Sequence, residues 1–301
     1  MRAQSTTLYS CSHVVLGSLL SACGVEVQMI DLDLRHALLR NLADLPAGSR
    51  VVVGCSGGAD SLALVRGAVH VGRELGLEVG ALVINHQLQP DSGEVAAKAA
   101  QVASKLGAQP VPVIDVQVAM GPRSGGLEAA ARDARRQAFD TYARQNNVEA
   151  ILLGHTLEDQ AETVLLGLAR GSGARSLAGM RDVDGLYRRP LLGLSRQHVR
   201  QTVSDLEVYE DPHNENPNFT RVRVRHHVLP IMEHDLGPGI AKALARTASM
   251  LRDDADALDD LASEVVNAGE LEVNELLALP RAVRTRVLRM LATSAGCTVN
   301  D

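Results

Sequence analysis

The sequence of 301 residues has no tryptophan, only two phenylalanines and only four tyrosines. So few aromatic rings cannot form a platform on which single-stranded bases stack, so any contact with a nucleic acid must use arginine side chains and backbone groups.

Cysteine is also scarce. The four cysteines, at positions 11, 23, 55 and 297, form no CxxC pair and no cysteine–histidine pair at metal spacing. We therefore expect unpaired thiols in a reducing compartment and no zinc or iron–sulfur site.

The N-terminal segment contains one apolar run, residues 14–20, which is too short to span a bilayer. Residues 20–23 (LSAC) resemble a bacterial lipoprotein cleavage box, which leaves export as an alternative. The segment before the run has only Arg2 and the amino terminus as positive charge, which disfavours a signal peptide. We expect residues 1–28 to be an extension that is disordered or lies upstream of a true start at Met29, in a cytoplasmic protein that does not contact the membrane.

The net charge of −6 is unevenly distributed along the sequence. Residues 251–276 contain nine acids and one arginine, whereas residues 165–232 contain ten arginines, seven acids and no lysine. A guanidinium group binds phosphate through a bidentate fork that an ammonium group lacks. The arginine-rich segment either contacts an anionic partner or forms a solvated surface, and charge alone does not decide between the two.

From residue 31 onward the sequence alternates between helix-like and strand-like segments. Four amphipathic or alanine-rich helices are predicted at residues 31–45, 61–75, 92–106 and 127–145. Four short apolar strands are predicted at residues 50–55, 79–85, 111–116 and 150–154. Apolar strands separated by helices are typical of a parallel sheet covered on both faces. Right-handed crossovers then predict a doubly wound, Rossmann-like α/β domain.

The strand pattern stops after Pro230. Residues 241–261 and 275–291 are predicted to be helical, and the GPG sequence at 237–239 is the predicted boundary between two domains. We therefore divide the chain into an N-terminal extension at residues 1–28, an α/β domain at residues 29–236 and a small α-helical domain at residues 237–301.

The strongest chemical signal is SGGADS at residues 56–61, between the first predicted strand and the helix that follows it. Two consecutive glycines allow backbone N–H groups to turn toward an anion, and the helix N-terminus adds its positive dipole end. The turn therefore predicts a phosphate-binding site, with an ordinary serine-capped turn as the alternative. It is neither a Walker loop, since no GK[ST] follows, nor the GxGxxG of a dinucleotide-binding fold.

SGGADS resembles the PP-loop of the N-type ATP pyrophosphatases, whose members split ATP between the α and β phosphates and leave an adenylated substrate. The resemblance implies that Asp60 is catalytic and faces a Mg²⁺ ion, which neutralises phosphoryl charge and binds through phosphates and one or two carboxylates. It also implies, together with Asp60, ATP-binding roles for Ser56, Gly57, Gly58, Ala59 and Ser61.

Three further segments resemble the tRNA(Ile)-lysidine synthetases within this superfamily. They are residues 154–180 (GHTLEDQAETVLLGLARGSGARSLAGM), residues 189–192 (RPLL) followed by Arg196, and residues 210–230 (EDPHNENPNFTRVRVRHHVLP). Together with SGGADS the matches run from about residue 50 to residue 252. The resemblance implies that the chain uses ATP to ligate L-lysine to the wobble cytidine of an isoleucine tRNA with a CAU anticodon, through an adenylated cytidine.

Two acids on the helix predicted to follow His155 have a separate physical reason to belong to the site. Asp159 and Glu162 are three residues apart, so they lie on neighbouring faces near the positive end of that helix. A lysine ammonium must lose a proton before it attacks, and a nearby carboxylate is suited to accept it. By resemblance, these catalytic acids serve the magnesium or the lysine amine, and His155 lies close to ATP. The alternative is that both acids only complement the helix dipole.

Arginines supply the remaining candidates. Arg132 ends the sequence EAAAR at 128–132, which is similar to a family block whose arginine faces the nucleotide phosphates, and is assigned a catalytic role. A solvated helix face is the alternative. The candidate tRNA contacts are Arg170, Arg175, Arg221, Arg223 and Arg225. In an extended segment the last three would share one face and follow a phosphate backbone, with a pairing to Asp211 or Glu215 left open for one of them.

The sequence also departs from the family pattern. Residues 85–90 read NHQLQP where the family usually has DHGLRP, so Asn85 and Gln89 replace an acid and an arginine. Thr156 and Glu158 differ from the common HHxDDQ. Many relatives carry a further C-terminal domain for tRNA, and without it we expect tRNA selection to depend on the α/β domain and the helical domain. The oligomeric state is not decided by the sequence, and a homodimer is left open.

Two other kinds of function remain as alternatives. A different PP-loop enzyme, which thiolates a tRNA base or amidates a small molecule, would share SGGADS, but thiolation in this superfamily generally uses paired cysteines. A non-catalytic nucleotide-binding protein would keep the glycine turn and would have no need of Asp60, Asp159 and Glu162.

Overall fold

The computed structural model describes residues 30–87, 91–118, 127–171, 173–269 and 271–297. The N-terminal extension at residues 1–28, the lipoprotein-like sequence at residues 20–23 and Gln89 lie outside the described residues. Of the four cysteines, Cys55 and Cys297 are described, and both are free thiols.

The centre of the fold is a six-stranded sheet with the strand order β3-β2-β1-β4-β6-β5. Neighbouring strands are parallel except at the edge, where β5 and β6 pair antiparallel. The strands are β1 (Arg50–Gly54), β2 (Glu78–Asn85), β3 (Val113–Asp115), β4 (Val148–Leu152), β5 (Val183–Asp184) and β6 (Tyr187–Arg188). The predicted parallel sheet is confirmed. The predicted strand at residues 111–116 is shorter than expected, and the two-residue strands β5 and β6 were not predicted.

The described helices are, in chain order, α1 (Leu32–Leu42), α2 (Ala59–Leu75), α3 (Ser92–Lys105), α4 (Leu127–Asn146), α5 (Leu157–Ala169), α6 (Ala174–Leu177), α7 (Arg196–Gln201), α8 (Thr220–Arg223), α9 (Leu229–Asp235), α10 (Ile240–Asn267), α11 (Val273–Ala278) and α12 (Arg281–Ser294). Single turns of 3₁₀-helix lie at Pro190–Gly193 and Pro212–Glu215, and a π-helical turn lies at Val224–Val228. None of these helices is long and apolar enough to cross a membrane.

Strand β1 is buried on both faces, as its run of valines predicts. Val51 and Val53 are fully buried against α1, α2 and α3, whereas Val52 points to the opposite face and packs with Phe139 of α4. Burying one such side chain contributes about 1.5–3 kcal/mol, so this continuous apolar strand is stable only between two layers of helices. The doubly wound arrangement is therefore confirmed.

The strand order creates a crevice at the carboxyl end of β1. The chain runs from β1 through β2 to β3 at one edge of the sheet and then returns to β4 on the other side of β1. The chain therefore leaves the neighbouring strands β1 and β4 in opposite directions, toward β2 and toward β6. Open α/β sheets bind ligands at such a switch point.

The C-terminal part of the chain is helical, as predicted. The first turns of α10 pack on α5, where Ile240, Ala241 and Leu244 lie against a buried cluster that contains Ala161. The second half of α10 packs with α12 around Ala262. Instead of the single predicted helix at residues 275–291 there are two, α11 and α12, because Pro280 has no backbone N–H to continue a helix. The proposed division at residues 29–236 and 237–301 stays a prediction.

The arginine segment at residues 221–225 does not have the extended conformation considered from the sequence. It is helical, in α8 and the π-helical turn, and not extended. Arg221 and Arg225 are therefore one helical turn apart and share a face, while Arg223 points elsewhere. The period-two expectation for these three arginines was wrong, because α8 continues directly into the π-helical turn and the segment does not extend.

Candidate active site

The SGGADS segment forms a tight turn between β1 and α2. Gly57 has a φ of 81°, a left-handed conformation that glycine adopts without strain, and a Cβ placed on it would lie 3.0 Å from the Cβ of Ala99. The Ser61 hydroxyl donates to the Gly58 carbonyl at 2.9 Å and accepts from the Ser56 N–H at 3.2 Å. Ser61 is buried and fixes the loop from within, while Ser56 is exposed.

The turn presents the start of a helix to the crevice. Helix α2 begins at Ala59 with Gly58 as its N-cap, which has no side chain to satisfy the first backbone N–H groups. Such N–H groups and the helix dipole favour an anion. Behind the turn, the chain after β4 approaches closely, since a Cβ on Gly154 would lie 3.1 Å from the carbonyl oxygen of Asp60. The loops after β1 and β4 are thus joined into one site.

Three carboxylates meet where these loops converge: Asp60 at the start of α2, and Asp159 and Glu162 on the first turns of α5. Asp159 also caps α5, because its Oδ2 accepts from the N–H of Thr156 at 2.8 Å. Glu162 is completely buried. Asp159 therefore both caps α5 and lines the cleft.

Arginines from two distant segments neutralise these acids. Arg225 donates to both carboxylate oxygens of Glu162, at 2.7 and 3.1 Å, and to Asp159 Oδ1 at 3.0 Å. Arg196, the first residue of α7, donates to Asp159 Oδ1 at 2.8 Å, and its Nε lies 3.8 Å from Asp60 Oδ2. A buried carboxylate stays ionised only when it is paired in this way.

The electrostatic environment shifts the pKa values of Asp60 and Asp159 in opposite directions. Burial raises the pKa of Asp60 to about 6, and the charge of Asp159 adds to this effect while Arg196 opposes it. Burial also disfavours the charged form of Asp159, but Arg196, the Thr156 N–H and Arg225 outweigh it and hold the pKa of Asp159 below its usual value. The Oδ1 atom of Asp60 is buried and accepts no hydrogen bond from the described residues. Asp60 therefore has an oxygen available for a further partner.

Two histidines line the same crevice in their neutral form. Burial lowers the pKa of His155 to about 4, although Asp159 opposes the shift. Burial, together with the charge of Arg135, lowers the pKa of His86 to about 4. Each has an Nδ1 atom without a hydrogen-bond partner among the described residues. His155 lines the same cleft as the SGGADS turn, and its closeness to ATP stays a prediction.

These groups surround a cleft with a volume of about 1010 Å³. Its walls include the SGGADS turn, His86, His155, Asp159, Arg196 and Arg225, and it is closed on one side by the segment around Tyr209. The Tyr209 N–H donates to the Gly57 carbonyl at 2.9 Å. A cleft of this size at the switch point has room for a nucleotide and a second substrate.

Arg132 is exposed on α4 and is not among the residues that line the cleft. Arg135 and Phe139 of the same helix line it, and Arg135 Nε lies 3.3 Å from His86 Nε2. The charge of Arg132 still reaches His155 and lowers its pKa slightly. Arg136 stacks on the Tyr187 ring, 5.0 Å from its centroid, so it has a structural partner.

The candidate tRNA arginines fall into two groups. Arg221 and Arg225 point inward, with Arg221 Nη2 3.1 Å from the Thr163 hydroxyl and Arg225 bound to Glu162. Arg170, Arg175 and Arg223 are exposed. Arg175 also forms an ion pair with Asp259, so the acidic segment of α10 neutralises part of the arginine-rich surface.

Sequence reasoning did not select three cationic residues that line the cleft: Arg135, Arg196 and Arg200. Arg196 belongs to the RPLL resemblance, but no local pattern in the sequence shows that α7 packs beside α5 and α2. A usable signal was the four-residue spacing of Arg196 and Arg200, which places both on one helical face. The Asn85 departure has a structural counterpart, since Asn85 Nδ2 donates to Asp115 Oδ1 at 2.8 Å.

Comparison with known proteins agrees with this geometry. The family model for the PP-loop domain matches residues 32–232. The chain is 51% identical over 270 residues to a tRNA(Ile)-lysidine synthase from Thermobifida fusca, covering 87% of this chain and 82% of the relative. It is also 51% identical to one from Leifsonia xyli, covering 83% and 78%, and 48% identical to one from Streptomyces coelicolor, covering 84% and 74%.

A solved structure shows the same fold at much lower identity. The U34-tRNA thiolase NcsA from Methanococcus maripaludis, solved with its [4Fe-4S] cluster, aligns with a TM-score of 0.59 at 16% identity and covers 73% of this chain and 78% of that chain. The PP-loop match over two thirds of the chain and the high identity over most of each relative agree with the cleft described above. The chain belongs to the tRNA(Ile)-lysidine synthase family of PP-loop proteins.

Proposed function

We propose that this chain ligates L-lysine to the wobble cytidine of an isoleucine tRNA with a CAU anticodon and consumes ATP in doing so. The use of ATP follows from its PP-loop family. The observation that carries the proposal is the meeting of the SGGADS turn with Asp60 and Asp159 in one cleft at the switch point of the sheet, with the buried Glu162 paired to Arg196 and Arg225 of the cleft wall. Because tRNA is a cytoplasmic molecule, the proposed reaction takes place in the cytoplasm.

The turn is suited to hold the phosphates of ATP. Gly57, Gly58 and Ala59 bring backbone N–H groups to the helix start, and Ser56 adds an exposed hydroxyl. Ser61 supports the loop, so its contribution is to fix the shape of the turn. His155 is neutral and lies on the wall of the same cleft. We assign these residues to ATP, and we propose that Arg132, whose charge reaches His155, acts on the charge of the bound nucleotide.

Asp60 fits the role of a magnesium ligand. Its buried Oδ1 has no hydrogen-bond partner among the described residues, and a carboxylate oxygen is a ligand that Mg²⁺ prefers. Mg²⁺ bound there would neutralise negative charge on the phosphates. The chain's own contribution is to hold Asp60 at the first turn of α2, beside the phosphate-binding turn, with Arg196 nearby to keep it ionised.

Lysine recognition is assigned to the acids of α5, with different tasks for the two. Asp159 lines the cleft and can meet the lysine ammonium, whereas Glu162 is completely buried and holds Arg225 through two hydrogen bonds. The cytidine O2 attacks the α-phosphorus, pyrophosphate leaves, and the lysine amine then displaces AMP from the cytidine C2. A carboxylate beside the amine accepts the proton that the attacking ammonium must lose.

The wobble base must leave its stack to reach the cleft, and an unstacked base is most readily supplied by an anticodon loop. Arg170, Arg175 and Arg223 are exposed and are assigned to the tRNA backbone. We remove Arg221 and Arg225 from that assignment, because both point toward Glu162 and lie within the site. The helical segment at residues 237–301 is proposed as a second domain that supports tRNA, and a homodimer remains a prediction.

The test is the incorporation of labelled lysine into an isoleucine tRNA transcript with a CAU anticodon, in the presence of ATP and magnesium. The matched control is the same transcript with a wobble uridine. We expect label on the cytidine transcript alone, and its loss in the Asp60→Ala variant. Pyrophosphate release with another acceptor and no lysine incorporation would discard the proposed substrate while retaining PP-loop chemistry. The absence of both lysine incorporation and pyrophosphate release would favour a nucleotide-binding protein without catalytic activity.

A further inference from the structure

Most arginine side chains that line the cleft already form hydrogen bonds or ion pairs with acidic or polar side chains. Arg225 is bound to Glu162 at 2.7 Å, and Arg196 is bound to Asp159 at 2.8 Å. Arg135 directs its Nε to His86 at 3.3 Å. The SGGADS turn itself contains no basic residue. A nucleotide entering the cleft would therefore find few cations that are not held by other groups.

Arg200 is an exception. It lies in the last turn of α7, is exposed, and lines the cleft together with Ser56, Gly58 and Asp60. Its charge is close enough to the turn to favour the ionised form of Asp60 and thereby lower its pKa. Among the residues that the structure describes, its guanidinium forms no ion pair and no side-chain hydrogen bond. Arg200 is thus an available cation beside the phosphate-binding turn.

Helix α7 is held in place at both ends, so the position of Arg200 is defined by the fold. At the start of the helix, Glu158 Oε2 accepts from the Arg196 N–H at 2.8 Å, and Ser195 caps the first turn. At its end, Arg66 of α2 donates to the Thr202 carbonyl at 2.6 Å. These contacts fix α7 against α5 and against α2, the helix that begins at the SGGADS turn.

We propose that Arg200 binds the β and γ phosphates of ATP and holds the pyrophosphate when it leaves. When the cytidine oxygen attacks the α-phosphorus, the bond from that phosphorus to the bridging oxygen breaks and its electron pair stays on pyrophosphate. The negative charge on pyrophosphate increases in this step, and a guanidinium binds such oxygens in pairs. Arg200 transfers no proton and would be a catalytic residue through contact with the leaving group.

This inference rests on the proposed function for the identity of the attacking group, but its test does not require tRNA. Binding of magnesium pyrophosphate, MgATP and AMP to the purified full chain is measured by titration calorimetry. The variants are Arg200→Ala and Arg200→Lys, with Arg40→Ala as a matched control because Arg40 is exposed on α1. AMP is the control ligand, since it has no β or γ phosphate. Circular dichroism verifies that each variant is folded.

We expect Arg200→Ala to weaken pyrophosphate binding about tenfold or more, the usual cost of losing a hydrogen-bonded charge, and to leave AMP binding unchanged. Arg200→Lys should recover part of the loss, because an ammonium supplies charge without the bidentate fork. Equal pyrophosphate affinity in the wild type and Arg200→Ala would overturn the inference, as would an equal loss for AMP. If the wild type binds both phosphates normally but forms no lysidine, the proposed function fails and the role of Arg200 stands.

Discussion

Replacing Arg225 with alanine removes the principal partner of a carboxylate that water cannot reach. Glu162 is 0% exposed, and Arg225 supplies both of the short hydrogen bonds that its oxygens accept. The variant would leave a buried negative charge with only the longer contacts to Arg196 and Arg221. The expected result is a large loss of stability, in addition to any loss of activity.

The magnitude follows from the remaining contacts. Breaking a buried ion pair costs about 3–5 kcal/mol. Two features favour the lower end of that range. Arg225 is itself 23% exposed, and Arg196 Nη2 and Arg221 Nε remain 3.5 and 3.8 Å from the Glu162 oxygens. We therefore expect the free energy of unfolding to fall by about 3 kcal/mol, which corresponds to a decrease in Tm of about 5 °C for a chain of this length.

The assay is urea unfolding followed by far-ultraviolet circular dichroism, since the chain has no tryptophan for fluorescence. Arg223→Ala is the matched control, because Arg223 is exposed in the same helical segment and should cost about 1 kcal/mol or less. Combining Arg225→Ala with Glu162→Gln removes the buried charge and should recover part of the stability. A loss below about 1 kcal/mol for Arg225→Ala, or a double variant less stable than the single one, would refute the reasoning.

Two further predictions follow from local geometry. Gly57→Ala should lower the free energy of unfolding by about 1–2 kcal/mol and weaken ATP binding, because Gly57 has a φ of 81°. Gly58→Ala, with a φ of −75°, should leave stability nearly unchanged in the same denaturation series, and equal losses would contradict this account. Burial lowers the pKa of His155 to about 4 in the folded chain. Below about pH 6.5 the unfolded chain therefore binds more protons at this residue than the folded chain does, so the free energy of unfolding should fall as the pH drops from 6.5 toward 4. His155→Gln should reduce that pH dependence in thermal unfolding, and an unchanged slope would show that His155 does not contribute to it.

The parts of the site that were predicted from the sequence are those built from neighbouring residues. SGGADS follows a buried strand and begins a helix, so its geometry depends on a few adjacent dihedral angles and is readable from the glycines. Asp159 and Glu162 were placed correctly on the first turns of a helix because their spacing and the apolar stripe of α5 are local features. The parallel sheet was likewise visible in the uninterrupted apolar strands.

The parts that were missed depend on contacts between distant segments. Arg196 and Arg225 reach Asp159 from 37 and 66 residues away in the chain, and no local pattern records which helix packs beside which. Arg225 was assigned to tRNA because alternating arginines suggested an extended segment, whereas the segment is helical and Arg225 contacts Glu162, a residue 63 positions away in the chain. The strands β5 and β6 have two residues each, too few for a period to be recognised.

The most direct test of the central claim is the stoichiometry of the reaction with the CAU transcript. Lysine incorporated into tRNA, AMP formed and pyrophosphate released are measured together in one time course for the wild type and for Asp60→Ala. The account predicts equal amounts of the three products for the wild type and loss of all three for a folded Asp60→Ala variant. Pyrophosphate and AMP formed without lysine on the tRNA, or an Asp60→Ala variant as active as the wild type, would contradict it.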